Sequence, residues 1–281
     1  MKPPIGRDTR LCMSLSARPG NAGSRLHNHL YETLGLDYVY KSFSTRDLPA
    51  AIGGVRALDI RGCAVSMPFK EAVIPLIDRI EDSARAIDSV NTIVNDDGVL
   101  TGYNTDYIAV RDLLVRHGVS PQTPFILRGS GGMAKAVAAA LRGLGFSEGI
   151  IVSRNPDTGR PLATQYGYEW SAELPEPGAK LLINVTPLGM AGPDSETLAF
   201  PEAFIRACDI AFDVVAQPVL TPFIRAARDA GKKTISGGEV IVLQAIEQFA
   251  LYTGVRPDAA AIRAATLAAH GPDVAAALEG E

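Results

Sequence analysis

Phe125-Ile126-Leu127-Arg128-Gly129-Ser130-Gly131-Gly132-Met133-Ala134-Lys135 is the stretch that decides the fold. A short apolar run reads as a buried strand, and Lys135–Leu144 continues with helical spacing. Between them lies Gly-x-Gly-x-x-Ala, the pattern of a dinucleotide loop. The first Gly permits a tight turn, the second lets the backbone approach a pyrophosphate, and Ala134 is small enough for helix to pack on sheet. The helix N-terminus adds N–H donors and positive potential. Detached from this strand and helix, the same string would read as a mere Gly-rich connection. The cofactor-binding candidates here are Gly129, Ser130, Gly131, Gly132, Met133 and Ala134.

The next strand, Gly149–Ser153, ends in Ser153-Arg154-Asn155. NAD sites usually place an acidic residue there for the ribose hydroxyls, whereas a guanidinium suits a 2′-phosphate. NADP is the expected cofactor. Arg160 could add a second positive charge, but Asp157 lies between the two arginines and could accept from a 2′-hydroxyl, which leaves NAD open.

Working outward, strands near Leu181–Asn184, Ile210–Val214 and Lys233–Ile235 continue a βαβ series, the mark of a mostly parallel sheet. Upstream, strands at Leu11–Leu15, Asp37–Phe43 and Gly62–Ser66 alternate with helices at Ser24–Leu34, Arg46–Leu58 and Glu71–Ile77. Asn91–Val94 and Val99–Thr101 flank Asn95-Asp96-Asp97-Gly98, residues that tolerate the positive φ of a hairpin turn. That hairpin should deliver Tyr103–Asp106 to a domain junction. Val240–Tyr252 and Ala259–His270 are helical. The expected fold is α/β: a substrate-binding domain over residues 1–104, a doubly wound Rossmann-type domain over 105–237, and C-terminal helices over 238–281 that return to the first domain.

The chain has 281 residues, 27 Lys and Arg against 31 Asp and Glu, and a net charge of −4. That balance, with no long basic run, argues against a nucleic-acid partner. Cys12, Cys63 and Cys208 form neither a disulfide framework nor a zinc knuckle. No apolar leader follows MKPPIGRDTR and no run of eighteen apolar residues occurs, so neither export nor a membrane partner is expected. A reducing cytoplasm fits. His27 and His29 point apart on a helix, His117 and His270 are isolated, and no metal site is expected. Trp170 reads as a packing residue.

Lys70 follows Ser66-Met67-Pro68-Phe69 at a strand end, and Asp106 follows Asn104-Thr105 after the hairpin, so both can face one interdomain cleft. Reducing a ketone needs a hydride donor on one face and a proton donor at the oxygen. A Lys beside an orienting Asp can supply that proton. Alone, Lys70 would read as a surface ammonium and Asp106 as a turn cap.

Val65-Ser66-Met67-Pro68-Phe69-Lys70, Ser89-Val90-Asn91-Thr92-Ile93, Gly102-Tyr103-Asn104-Thr105-Asp106, Asn184-Val185-Thr186-Pro187-Leu188-Gly189-Met190 and Gln244, taken in order, resemble the shikimate/quinate dehydrogenase family. Arg61–Lys70 and the Gly-Ser-Gly-Gly-Met-Ala-Lys loop are similar to its divergent shikimate dehydrogenase-like branch. The resemblance implies Lys70 and Asp106 as the catalytic pair, Asn91 and Gln244 on substrate hydroxyls, and Ser66 in place of the family's threonine. It implies Asn184, Thr186, Met190 and Val214 near the cofactor, Gly237 near the nicotinamide and Arg154 near the adenosine ribose.

The family's Ser-x-Ser-Pro segment, whose hydroxyls hold the substrate carboxylate, is replaced: without gaps its serines become Asn21 and Gly23. Ser14, Ser16 or Ser24 could substitute. Ala216 stands where the family has a tyrosine. The implied activity is NADP-dependent interconversion of 3-dehydroshikimate and shikimate, or of a closely related cyclic hydroxy acid, and it is expected to be weak on shikimate itself. A quinate-type enzyme using NAD and a catalytically weak dinucleotide-binding regulator are the alternatives. The protein should be a monomer or homodimer in the shikimate pathway of aromatic amino acid biosynthesis.

Overall fold

The computed structural model describes residues 2–278. The chain divides into two compact units: one runs to Ile108 and resumes at Val242, and the other is Ala109–Ile241.

The first unit is built on β1 (Arg10–Ser16), α1 (Ala22–Leu34), β2 (Tyr38–Ser44), α2 (Leu48–Ala57), β3 (Gly62–Val65), β4 (Arg79–Ile80), α3 (Asp82–Arg85), β5 (Thr92–Asp96) and β6 (Val99–Tyr103). Its sheet has the order β2-β1-β3-β5-β6-β4. β1, β2 and β3 are parallel and β5 runs against β3, so the carboxyl ends of the first three strands share an edge with Asn91 and with the segment after Tyr103. Strand alternation turns Met13 and Leu15 into a core cluster with Ile52 and Val55 of α2. Asp47 caps α2 through the Ala50 N–H at 3.0 Å. In the hairpin turn Asp97 has φ 53° and Gly98 φ 86°, as its sequence requires.

Glu71–Ile77, expected as a helix, is a series of turns with a short 3-10 segment at Ile74–Leu76. Pro75 has no N–H to donate, which limits regular hydrogen bonding there. β4 and α3 are too short to show a period in sequence.

α4 (Thr105–Arg116) follows, and the second unit adds β7 (Phe125–Arg128), α5 (Gly132–Gly143), β8 (Gly149–Val152), α6 (Pro156–Tyr166), β9 (Glu169–Ser171), β10 (Leu181–Asn184), α7 (Glu202–Ala207), β11 (Ile210–Asp213), α8 (Pro222–Asp229) and β12 (Lys233–Ile235). All neighbours are parallel, in the order β12-β11-β10-β7-β8-β9. The chain winds outward from β7 in one direction and then outward from β10 in the other. This is the doubly wound dinucleotide arrangement, with its switch point between β7 and β10.

α9 (Gly237–Thr253) opens with a capping box: Glu239 accepts from the Ser236 N–H at 2.7 Å, and its other oxygen meets His117 Nε2 at 2.8 Å. His117, isolated in sequence, is thus paired. α10 (Ala259–His270) packs on α1, and α11 (Pro272–Ala277) follows. Gly62 has no side chain because the Tyr252 ring fills its place: a Cβ there would lie 2.2 Å from the ring. The Arg61 Nε–H donates to the Tyr252 carbonyl at 2.9 Å. The returning helices therefore complete the first unit. The unit division falls inside α4 and inside α9, a few residues beyond the boundaries expected at 104 and 237. Among the described residues no helix is long and apolar enough to cross a membrane.

Candidate active site and dinucleotide pocket

At the shared edge of the first sheet, Lys70 Nζ donates to Asp106 Oδ2 at 2.7 Å, with side chains 30% and 19% exposed. Each partner is held by its own backbone. The Val90 N–H donates to the Lys70 carbonyl at 2.8 Å, and the Ser66–Phe69 turn before it closes at 2.9 Å. Asn104 caps α4 by accepting from the Tyr107 N–H at 3.1 Å, while its amide donates to the Ser89 carbonyl at 2.9 Å. Asp106 therefore sits in a fixed first helical turn. The pair is open enough to meet a ligand and constrained enough to hold its direction.

Behind it lies a buried polar network. Asn91 Oδ1 accepts from the Thr105 N–H and from Thr92 Oγ1, both at 2.8 Å, and Thr105 Oγ1 lies 3.4 Å from Gln244 Oε1. Among the other expected substrate residues, Ser66 is exposed beside Met67. Ser14 is half-buried within β1, and Ser16 is buried with a hydroxyl that has no partner among the described residues. Asn21 is exposed at the start of α1 and makes no side-chain cap, whereas Ser24 is tied to Ser42 at 2.8 Å. None of these reproduces a pair of exposed serine hydroxyls at the start of α1.

In the second unit a cavity of about 630 Å³ opens at the switch point. Gly129, Ser130, Gly131, Ser153, Arg154, Asn155 and Thr186 line it. Gly129 has φ 124°, and a Cβ there would lie 2.7 Å from the Val185 side chain, so only glycine fits. α5 begins at Gly132 without a side-chain cap, which leaves its first N–H groups to an anion. Ala134 is fully buried, in keeping with close helix–sheet packing.

Asn184 lies behind the pocket wall, fully buried. It accepts from Thr186 Oγ1 at 2.6 Å and donates to Asp213 at 3.0 Å, so it braces the loop that lines the cavity. Met190, Val214, Gly132, Met133 and Gly237 also stand outside the lining. Gly237 is instead a contact point: a Cβ would lie 2.2 Å from the Val215 carbonyl oxygen. Ser153 and Asn155 are partly occupied, Ser153 by the Trp170 N–H at 3.1 Å and Asn155 as the cap of α6.

Arg160 stacks on Trp170 with its guanidinium 4.6 Å from the ring centroid and does not line the cavity. Arg128 lines the same cavity as Arg154, and its guanidinium also donates to the Ala199 carbonyl. Burial pulls the Arg128 guanidinium below its ordinary pKa, and the positive charge of Arg154 adds to that shift. Two repelling guanidiniums in one pocket are relieved by a bound anion, and a phosphate-bearing dinucleotide fits these residues. The signal in sequence was an arginine directly before the glycine loop.

Residues 22–93 match the family description "Shikimate dehydrogenase substrate binding domain". The shikimate dehydrogenase-like protein of Haemophilus influenzae is 57% identical over 254 residues, covering 90% of this chain and 94% of its own. The chain belongs to the shikimate dehydrogenase family. A solved structure of a shikimate 5-dehydrogenase-like protein has a TM-score of 0.93 at 55% identity, over 94% of this chain and 99% of that one. The shikimate 5-dehydrogenase of Thermus thermophilus, solved with NADP(H) and shikimate, has a TM-score of 0.81 at 29% identity, over 92% and 99%. The shikimate dehydrogenase family is one of oxidoreductases, and curated relatives of this chain are named as NADP(+) enzymes.

Proposed function

We propose that this chain interconverts a ring ketone and a ring alcohol on a cyclic hydroxy acid, 3-dehydroshikimate and shikimate or a close relative, with NADP(H). The Lys70–Asp106 pair carries the reading, standing at 2.7 Å beside the Asn91–Thr105–Gln244 network.

NADP(H) supplies or accepts the hydride at the carbinol carbon. In reduction the Lys70 ammonium gives its proton to the ketone oxygen as the C–H bond forms, and solvent returns a proton to the amine. In oxidation the Lys70 ammonium first gives a proton to solvent, and the neutral amine then takes the hydroxyl proton. Asp106 keeps Nζ directed at that oxygen. Asn91 and Gln244 hold the ring hydroxyls. Arg154 and Arg128 favour the 2′-phosphate and hence NADP over NAD.

Turnover of shikimate itself is slow in this reading. Asn21 is exposed, Gly23 has no side chain, and Ser24 is occupied by Ser42, so the substrate carboxylate loses serine donors. One such hydrogen bond is worth about 1–3 kcal/mol when its partner is buried.

The test is an initial-rate assay with shikimate and quinate, each against NADP⁺ and NAD⁺, with Lys70→Ala and Asp106→Asn variants. NADP⁺-dependent oxidation lost in both variants supports the proposal. NAD⁺-dependent quinate oxidation moves it to the quinate type. NADP⁺ binding without turnover of any pair overturns it in favour of a regulatory protein.

A further inference from the structure

We infer that Gln248 is a positioning residue that orients the Asn91 amide, so that this site reads its substrate through an oxygen that accepts a hydrogen bond. The inference rests on the proposal that Asn91 meets the substrate.

Gln248 lies one turn beyond Gln244 on α9 and is 6% exposed. Its Nε2 donates to Thr92 Oγ1 at 3.1 Å and lies 3.5 Å from the Asn91 carbonyl oxygen. Thr92, fully buried, has a single hydroxyl proton. With Gln248 donating to its oxygen, that proton is left for Asn91 Oδ1 at 2.8 Å. The Thr105 backbone N–H, a donor that cannot reverse, reaches the same Oδ1 at 2.8 Å. With the Thr105 hydroxyl also 3.2 Å away, donors converge on Oδ1, and a flipped amide would set N–H against N–H.

Asn91 is 3% exposed, and with Oδ1 taken up by these donors Nδ2 is the amide group left for the substrate of the proposed function. It can only donate. A hydroxyl or carbonyl oxygen at that position is accepted, and a ring ammonium, which also only donates, is rejected.

Gln248→Glu inverts the polarity at nearly constant size. An ionised carboxylate takes the Thr92 proton, Thr92 then turns lone pairs toward Asn91 Oδ1, and Thr105 alone is left to hold the amide, so its orientation weakens. A carboxyl in that buried position titrates above the ordinary glutamate range, so its neutral form restores a donor at lower pH.

The experiment has two readouts on the full chain. In ¹⁵N-labelled protein the Asn91 side-chain amide signals, assigned through Asn91→Ala, should shift in Gln248→Glu at high pH and return on acidification. Unchanged signals overturn the inference. In the shikimate assay, Gln248→Glu should raise KM at least fivefold with kcat within about twofold, more at high pH than at low, and Gln248→Met should have a smaller effect. The KM effect should vanish in the Asn91→Ala background. An equal effect in that background, or a lowered melting temperature with KM unchanged, means a merely structural role and overturns it. If the unmodified protein turns over no ring acid, the functional proposal fails by itself, and the amide signals still decide the orientation of Asn91.

Discussion

The His27 imidazole lies flat against the Tyr40 ring, with centroids 4.4 Å apart and planes 10° from parallel, and neither of its nitrogens has a partner among the described residues. Burial holds its pKa down at about 3, against an ordinary 6.5. Between those values the unfolded chain binds a proton that the folded chain refuses. Stability from this residue is therefore full above pH 6.5 and declines as pH falls toward 3, by up to about 1.4 kcal/mol per unit. His27→Phe keeps the stack and should flatten that acid limb. Urea unfolding at several pH values checks it, and an unchanged slope would sink the account.

Asp213 should act with the opposite sign. It is fully buried, and burial raises its pKa from 3.8 to about 6 although Thr221, Val215 and Asn184 donate to it. The folded state holds a proton there that the unfolded state releases, so stability declines as pH rises from 3.8 through 6. Asp213→Asn should remove that decline and leave the His27 limb in place. The same pH series of unfolding curves separates the two.

Cofactor preference should follow the paired guanidiniums. Arg154→Ala is expected to raise the Kd for NADP⁺ about tenfold or more and to change that for NAD⁺ by less than about threefold, the loss of one charge-assisted contact to phosphate. Arg128→Leu should weaken NADP⁺ binding in the same direction. Fluorescence titration measures both. Equal losses for the two dinucleotides would place the arginines on the shared pyrophosphate instead.

Gly62→Ala should unfold the first unit selectively. The added methyl would meet the Tyr252 ring at 2.2 Å, too close for small shifts to relieve, and overpacking of this kind costs about 1–3 kcal/mol or more. Thermal unfolding should begin earlier while NADP⁺ binding persists below that transition.

The second sheet was legible because each strand is a short apolar run and the glycine loop falls between strand and helix. The Asp97-Gly98 turn was legible because its backbone demands those residues. Glu71–Ile77 misled because its apolar spacing outweighed Pro75 in the reading. Arg128 was missed because it sits inside an apolar strand pattern, and the stacking of Arg160 on Trp170 was not legible because it depends on strand β9 lying beside β8. Gln248 carries no local signal. Its contact with Thr92 joins residues 156 apart in sequence, and only the packed helix brings them together.

The Tyr252 ring seated on Gly62 also sets an order of events during synthesis. Ala109–Ile241 is continuous and has all its strands once it has left the ribosome. The earlier-made sheet must wait with an open face until Tyr252 and the helix Ala259–His270 emerge. The part translated first is therefore closed last, and in the interval its exposed face is where a nascent chain of this protein is most open to chaperones or to aggregation.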